Sequence, residues 1–391
     1  MQNRAGTYKE NLSGKLAYRS FSPAPLPPDP AVEADSEMLI ALAGAERELS
    51  ALNRMSKNIP NVSLFVAMYV RKEALMSSQI EGTQVTLEDI LDPNIEENAN
   101  RDVTDVVNYV QAVDFALKRL DDLPICCRLI KETHAVLMEN TRGQDKCPGE
   151  FRRSQNWIGS AQSTISTASY IPPNVADMEN AMSALEKYIN CVPSDAGCTE
   201  ENASKENALI QCALIHYQFE TIHPFLDGNG RTGRLLITLF LIEQKLLCAP
   251  SLYISYYLKK NRVEYYDRMS EVRKSGNYEQ WIKFFLRALA ESAKNATQTI
   301  EKLVALQKEN EAKIKMLGRS AKTALRVFEF LQVNPIITVT KTAQALSLSF
   351  NTVSSAVKKL EDLGILHPIS NVVRGRTFVY EAYLEILRDG T

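Results

Sequence analysis

The sequence predicts a mainly α-helical protein with one β-hairpin flap and a small C-terminal winged helix-turn-helix domain. Apolar residues recur at spacings of three or four over most of the chain, which indicates amphipathic helices. This periodicity breaks around residues 147–173, where two short runs are separated by small polar residues, a pattern typical of a hairpin. Residues 317–391 alternate helix and turn signals and close in a second hairpin pattern.

The composition excludes several classes of protein. The chain has 391 residues, of which 45% are hydrophobic and 24% charged, so it is neither a disordered nor a low-complexity protein. Its net charge of −2 provides no overall attraction to a polyanion, and any nucleic-acid site would have to be local. At about 100 to 200 residues per domain, this length predicts two or three domains.

The cysteines and the apolar segments indicate a location. The seven cysteines are irregularly spaced and never form C-x-x-C, so they predict neither a disulfide framework nor a zinc site. The longest apolar stretch, Leu235–Ile242, is far shorter than the roughly 20 residues of a membrane span. We therefore expect a soluble, cytoplasmic protein with no membrane partner.

The chain divides into five segments by composition and periodicity. Residues 1–36 form a Pro-rich leader, expected to be an extended strap rather than a packed element. Residues 37–120 form an N-terminal helical region, and residues 121–290 form the main helical core. A helical connector, rich in Glu and Lys, covers residues 291–316 and leads to the winged helix-turn-helix domain at 317–391.

Individual helices follow from the periodicity. No strand is expected in the first part of the chain, before the flap. A polar insertion at residues 191–207 interrupts the helical core. Helices are expected from Ser36 onward, over Val62–Met76, Val175–Ile189, Ala208–Glu220 and Leu235–Leu247, through Tyr253–Leu289, and over Ala321–Gln332, Thr340–Leu346 and Asn351–Leu363.

The loop between the two most apolar helices, residues 223–234 (HPFLDGNGRTGR), carries the chemistry. Asp-Gly and Asn-Gly are common turn dipeptides, and a purely structural turn is the plain alternative. A glycine-spaced loop that opens a helix, however, presents free backbone N–H groups at the positive end of the helix dipole and so suits a phosphate. Arg231 and Arg234 fall on one face of the first turn and can both reach the same polyanion.

Two further residues complete a candidate nucleotide-transfer site. Asp227 is a hard oxygen ligand at the position where a Mg²⁺ ion that bridges phosphates would lie. His223 is the nearby group whose pKa suits proton acceptance near neutral pH. Neither a Walker P-loop nor a calcium-binding loop is present.

These residues resemble the signature of the Fic family, H-P-F-x-[D/E]-G-N-G-R-x-x-R, at all of its specified positions. The resemblance implies a Fic-type helical bundle that transfers AMP from ATP, with Mg²⁺, to a Ser, Thr or Tyr hydroxyl of a target protein. His223 would be the general base, Asp227 the Mg²⁺ ligand and Arg234 the group that holds the γ-phosphate. The residues Gly228, Asn229, Gly230 and Arg231 would form the phosphate cradle, and Phe225 would anchor the loop in the core.

A second motif resembles the inhibitory element of the same family. Ser77, Glu81 and Gly82 match the pattern [S/T]-x-x-x-E-[G/N] at the end of a predicted helix. The resemblance implies that Glu81 pairs with Arg234 and keeps the γ-phosphate from its productive place. A solvated glutamate at a helix end is the plain alternative, and removal of AMP, with Glu81 steering a water molecule, is a functional one.

The remaining expectations concern partners. The flap between Trp157 and Pro173 would align a segment of the target protein by strand addition, with a plain structural hairpin as the alternative. Residues 317–391 carry a net charge of +3, which leaves DNA binding and protein binding both open. The candidate phosphate contacts there are Lys358, Lys359, Arg374 and Arg376. A DNA-binding regulator whose Fic domain senses nucleotide is the competing function, and a homo-oligomer stays open.

The other histidines are interpreted as ordinary. His134, His216 and His367 lie in no comparable group of residues, and we expect them to be structural or exposed side chains.

Overall fold

The computed structural model describes residues 3–14, 17–58, 62–94, 100–141, 143–160, 162–190, 206–369 and 376–388. It confirms a mainly α-helical protein with short antiparallel strands. The predicted polar insertion lies almost wholly outside these residues, and so does Arg374. No helix in the described ranges combines the length and apolarity that a membrane span requires.

The helices follow the predicted order. Those before the C-terminal domain are α1 (Ser36–Asn58), α2 (Val62–Ile80), α3 (Leu87–Leu91), α4 (Arg101–Arg119), α5 (Cys127–Leu137), α6 (Val175–Asn190), α7 (Ala208–Ile222), α8 (Asn229–Glu243), α9 (Ile254–Lys260), α10 (Arg262–Ser275) and α11 (Tyr278–Lys315). Helices α7 and α8 are buried almost throughout, because both helices carry apolar residues on most of their faces. They form the centre of the bundle, with α2, α4, α5, α6 and α11 packed around the pair.

The N-terminal segment differs from its prediction as an extended strap that does not pack. Strands β1 (Gly6–Asn11) and β2 (Tyr18–Pro23) pair antiparallel, from Gly6 opposite Pro23 to Asn11 opposite Tyr18. Phe21 is fully buried, and its backbone N–H donates to the Ile171 carbonyl at 3.0 Å. The expectation of no strand in this part of the chain was wrong, because the strands are too short and polar to alternate clearly, and tertiary contacts decide their conformation.

The connector is part of a long helix. Helix α11 runs for 38 residues, from Tyr278 to Lys315, and therefore spans both the end of the predicted core and the connector. It packs along α1. Its apolar residues Ile300, Leu303 and Ile314 are buried, as the periodicity indicates.

The C-terminal domain has the predicted winged helix-turn-helix order. It comprises α12 (Ala321–Leu331), β3 (Ile336–Thr338), α13 (Val339–Leu346), α14 (Phe350–Asp362), β4 (His367–Pro368), β5 (Thr377–Val379) and a last helix α15 (Glu381–Arg388). The three strands form one antiparallel sheet in the order β3-β5-β4. Both β3, at the predicted turn around Pro335, and α15 were missing from the sequence prediction.

Candidate active site

His223 lies at the point where α7 ends. Its φ of +51° ends the helix, and its backbone N–H still donates to Phe219 at 3.0 Å. Its Nδ1 lies 3.3 Å from the Glu220 carbonyl, which can only accept, so Nδ1 carries the proton and Nε2 is the free base. Burial lowers the pKa of His223 to about 4, so the imidazole is neutral at physiological pH.

Phe225 and Asn229 hold the loop closed. The Asn229 carboxamide accepts from the Phe225 N–H and donates to the Phe225 carbonyl, both at 2.8 Å. The Phe225 ring is fully buried and stacks on His134, with ring centroids 3.7 Å apart and planes within 2°. The loop from His223 into α8 is therefore fixed by the two hydrogen bonds between Asn229 and Phe225 and by the packing of the Phe225 ring in the core.

Glycine is needed where the loop becomes α8. Gly228 has φ +75°, and a Cβ there would lie 2.6 Å from Met138 Sδ. At Gly230 a Cβ would lie 2.2 Å from Glu81 Oε1. No side-chain hydrogen bond caps the first turn of α8, so its backbone N–H groups form a candidate anion-binding position.

The two arginines of this turn contact different acids. Arg231 Nη1 lies 3.2 Å from Asp105 Oδ1 of α4, and both side chains are buried. Arg234 Nη2 lies 2.6 Å from Glu81 Oε1, beyond the C-terminus of α2. In this state the two guanidinium groups therefore do not converge on one point, although the spacing predicts a shared face.

Ser77 and Glu81 together hold Arg234. The hydroxyl of Ser77 accepts from Arg234 Nε at 2.8 Å, and its carbonyl accepts from Nη2 at 2.9 Å. Burial is the largest single effect and opposes the charge on Arg234, but the surrounding acidic groups, Glu81 first among them, together outweigh it and raise the pKa of Arg234. Gly82 has φ +98° and turns the chain away directly after Glu81.

Asp227 is the one signature carboxylate. Its Oδ2 lies 2.8 Å from Lys146 Nζ, and its Oδ1 accepts from the Gly228 N–H at 2.7 Å. Burial favours the neutral acid, yet Lys146 lowers the pKa of Asp227 below its usual value. No group of three or more His, Cys, Asp or Glu side chains suited to a metal occurs among the described residues. A Mg²⁺ ion at Asp227 would take its other ligands from nucleotide oxygens and water.

The sequence did not reveal three residues that support the signature loop. His134, interpreted there as ordinary, stacks on Phe225, and its Nε2 lies 2.9 Å from the Asp227 carbonyl oxygen. Arg152 donates from Nε to the His223 carbonyl at 3.0 Å. Asn156 donates to the carbonyls of His223 and Phe225, at 3.2 and 2.8 Å. These residues lie far from the signature in sequence, so no motif could reveal them.

The flap lies beside this loop. Its one bridge joins Ile158 to Tyr170, and no regular strand occurs in the described part of residues 157–173. The Tyr170 hydroxyl donates to the Thr221 carbonyl at 2.7 Å, which attaches the flap to the end of α7. Trp157 is 43% exposed. The hairpin is therefore a bridged loop whose outer edge faces solvent.

The fold and the site together define a Fic-type domain that precedes a winged helix. Residues 39–118 match the N-terminal region of the Fic/DOC family, and residues 124–241 match the Fic/DOC family itself. Residues 321–366 match the winged helix-turn-helix DNA-binding family. The chain belongs to the Fic family.

Curated proteins match part of the chain. The chain is similar to the protein adenylyltransferase Fic of Drosophila erecta, with 28% identity over 182 residues, 45% of this chain and 31% of that protein. The protein of the same name from Culex quinquefasciatus is 32% identical over 136 residues, 35% of this chain and 22% of the relative. The chain spans about a third or less of the length of these two relatives.

Solved structures support the fold. A Fic family protein from Desulfovibrio desulfuricans G20 aligns with a TM-score of 0.55 and 19% identity, over 89% of this chain and 97% of that chain. A Fic domain containing signaling protein from Bacteroides thetaiotaomicron aligns with a TM-score of 0.51 and 14% identity, over 66% of this chain and 96% of that chain. Both likenesses concern the fold alone.

Proposed function

We propose that this protein is a protein adenylyltransferase that transfers AMP from ATP to a Ser, Thr or Tyr hydroxyl of a target protein. One observation carries the proposal: a neutral histidine lies four residues before Asp227 and the uncapped, glycine-lined N-terminus of α8. The name of the matched relatives, protein adenylyltransferase Fic, agrees with this chemistry.

The proposed step follows from the site. His223 Nε2 takes the proton from the target hydroxyl, whose oxygen attacks the α-phosphorus of ATP. The new bond joins that oxygen to the α-phosphorus, the bond from the α-phosphorus to the bridging oxygen breaks, and pyrophosphate leaves. The cradle formed by Gly228, Asn229, Gly230 and Arg231 would hold the phosphates while Arg234 holds the γ-phosphate.

Asp227 would hold Mg²⁺ that arrives with the nucleotide. The ion would supply charge neutralisation on the phosphates. In the free protein the ammonium of Lys146 lies 2.8 Å from the Asp227 carboxylate, so Lys146 would compete with Mg²⁺ for Asp227. Lys146 is half-exposed and on a loop, so this pair can separate at low cost.

The contacts of Glu81 support an autoinhibited resting state. Glu81 and Ser77 occupy three donor positions of Arg234, the guanidinium that would otherwise bind the γ-phosphate. ATP could still bind at the cradle, but without Arg234 its α-phosphorus would lack the aligned pose. The exposed edge of the flap is the proposed docking place of the target protein.

Two alternatives keep specific support. The Glu81 side chain is 39% exposed, so it could orient a water molecule for removal of AMP from modified proteins. The match of residues 321–366 to a DNA-binding family supports a DNA-binding regulator. Lys358, however, lies 3.3 and 3.1 Å from the carboxylates of Glu361 and Asp362, which weakens it as a phosphate contact. A band-shift titration across salt concentrations tests that alternative.

Intact mass after incubation with MgATP tests the proposal. We expect self-modification by one or more AMP groups in Glu81→Gly, little in the wild type and none in Glu81→Gly/His223→Ala. Added phosphate in place of AMP would indicate a different group transfer. Absence of any adduct on Glu81→Gly, together with release of AMP from pre-modified protein by the wild type, would favour AMP removal.

A further inference from the structure

The C-terminal domain contacts both sides of the inhibitory segment, which we define as residues 77–82. On the N-terminal side, Arg71 of α2 donates from Nη1 to the carbonyl of Val333 at 2.6 Å. Val333 follows α12 of the winged helix. Arg71 precedes Ser77 by less than two turns of the same helix, at about 9 Å along its axis.

On the C-terminal side two cations of the winged-helix domain bind the chain that leaves the segment. Lys341 donates from Nζ to the Pro93 carbonyl at 2.9 Å. Arg388 Nε lies 2.7 Å from Glu88 Oε1 in α3. The Arg388 pair is partly exposed and contributes little by itself, whereas the Arg71 contact is a part-buried hydrogen bond from a charged donor.

The segment between these contacts is short and internally bonded. Gly82 and Thr83 donate their backbone N–H groups to Gln79 and Ser78, and Gln79 Nε2 donates to the Val85 carbonyl at 2.5 Å. A displacement at Arg71 or at α3 is therefore transmitted to Glu81 instead of being absorbed by a flexible loop.

The junction is partly open to solvent. A pocket of about 210 Å³ lies between α2, α3 and the winged helix, and its walls include Arg71, Ile90, Leu91, Phe330 and Ile337. On its other side the winged helix packs on α11 through α12 and α15. An interface that is partly open to solvent opens at a lower cost than the core of the bundle, so the contacts with α2 and α3 are the ones expected to open first.

We propose that the C-terminal winged-helix domain has a second function, as a clamp that holds the inhibitory segment against Arg234. This inference rests on the proposed adenylyltransferase activity, whose resting state it explains. A partner that pulls the winged helix away from α2 would free Glu81 to leave Arg234. Binding of a partner to the winged helix would then raise the activity of the Fic domain, whatever that partner is.

Variants of the full chain test the clamp. With MgATP and intact-mass detection, we expect Arg71→Ala to raise the rate of AMP addition about tenfold over wild type, the effect of losing one charged hydrogen bond. Lys341→Ala should act in the same direction. Arg319→Ala, an exposed residue of the same region, is the matched control and should leave the rate unchanged.

In the Glu81→Gly background Arg71→Ala should add nothing, because the contact it would loosen is already absent. A wild-type rate in both Arg71→Ala and Lys341→Ala, with Glu81→Gly active, would overturn the clamp. An equal increase in the Glu81→Gly background would overturn it as well, because the effect would not pass through Glu81. Melting temperatures identify a misfolded variant, and Arg71→Lys then replaces Arg71→Ala.

Hydrogen exchange separates failure of the clamp from failure of the proposed function. We expect the amides of Glu81, Gly82 and Thr83 to exchange faster in Arg71→Ala than in wild type or Arg319→Ala, with or without activity. If Glu81→Gly adds no AMP but exchange rises, the clamp stands and the transferase proposal falls. Unchanged exchange in a folded Arg71→Ala protein would refute the clamp directly.

Discussion

Arg152 is a buried cation that binds backbone carbonyls. It is 2% exposed and donates to the carbonyls of His223, Ser154 and Pro173, while its N–H donates to Pro224. Burial lowers the pKa of Arg152 to about 10, which leaves the guanidinium charged at neutral pH. One side chain thus joins both ends of the flap to the loop that carries the proposed base.

We predict that Arg152→Met destabilises the protein and impairs transfer. Methionine keeps most of the apolar volume but removes the side-chain donor to the Ser154 and Pro173 carbonyls and one of the two donors to the His223 carbonyl, a cost of about 3 kcal/mol in the free energy of unfolding. Displacement of His223 should lower the transfer rate of the Glu81→Gly protein by at least about tenfold. Urea unfolding and intact mass measure the two effects.

Arg153→Met is the matched control. Its side chain is 86% exposed and pairs with Glu150, so the substitution should change stability by less than about 0.5 kcal/mol. Equal behaviour of the two variants would show that Arg152 has no special role.

At the scale of elements, the N-terminal hairpin is part of the core. Phe21 of β2 is fully buried, and Lys9 of β1 lies 2.9 Å from Asp177 of α6. Arg4, just before the hairpin, forms an ion pair with Glu279 of α11. The hairpin therefore connects the flap to two helices of the bundle, which the expected strap could not do.

We predict that Phe21→Ala lowers the free energy of unfolding by about 3 kcal/mol, the usual cost of removing a buried phenyl ring. Leu12→Ala, at a 70% exposed residue of the hairpin turn, should lower it by less than about 0.5 kcal/mol. Chemical denaturation at one pH measures both. A Phe21→Ala protein as stable as Leu12→Ala would mean that the hairpin does not pack on the bundle.

At the scale of the whole molecule, buried histidines make stability depend on pH. Burial lowers the pKa of His134 to about 4, of His216 to about 3 and of His223 to about 4. Each imidazole is neutral in the folded protein between pH 4 and 6.5 but takes up a proton on unfolding, so stability is lost as the pH falls. Burial also raises the pKa of three glutamates, of Glu220 to about 7 and of Glu73 and Glu243 above their usual value, which opposes this trend above pH 4.5.

The large shifts of the three histidines are expected to outweigh those of the glutamates, so unfolding between pH 4.5 and 6.5 should take up protons. We therefore predict that the melting temperature falls as the pH is lowered from 6.5 to 4.5. Thermal melts at constant ionic strength measure this, and His216→Asn should show a shallower dependence. A melting temperature independent of pH over this window would contradict the burial of these imidazoles.

Local sequence predicted much of the helical architecture and the position of the candidate site in the fold. Apolar periodicity is a property of neighbouring residues, so α1, α2 and α6 to α8 lie where it indicated, with ends shifted by a few residues. The signature loop is contiguous, and its glycines, His223 and Asp227 are assembled by one helix-loop-helix unit. The pairing of Glu81 with Arg234 was predicted too, because the motif of the family names both partners.

The sequence by itself determined which residues are proposed to carry the chemistry, because they lie in one short stretch whose geometry is local. Only the tertiary structure decided which contacts support it. His134 stacks on Phe225, Arg152 donates to the His223 carbonyl, and Lys146 pairs with Asp227. Arg71 donates to the Val333 carbonyl of the winged-helix domain. These partners are separated by roughly 70 to 260 residues, and such contacts depend on how helices pack, which no local pattern of residues encodes.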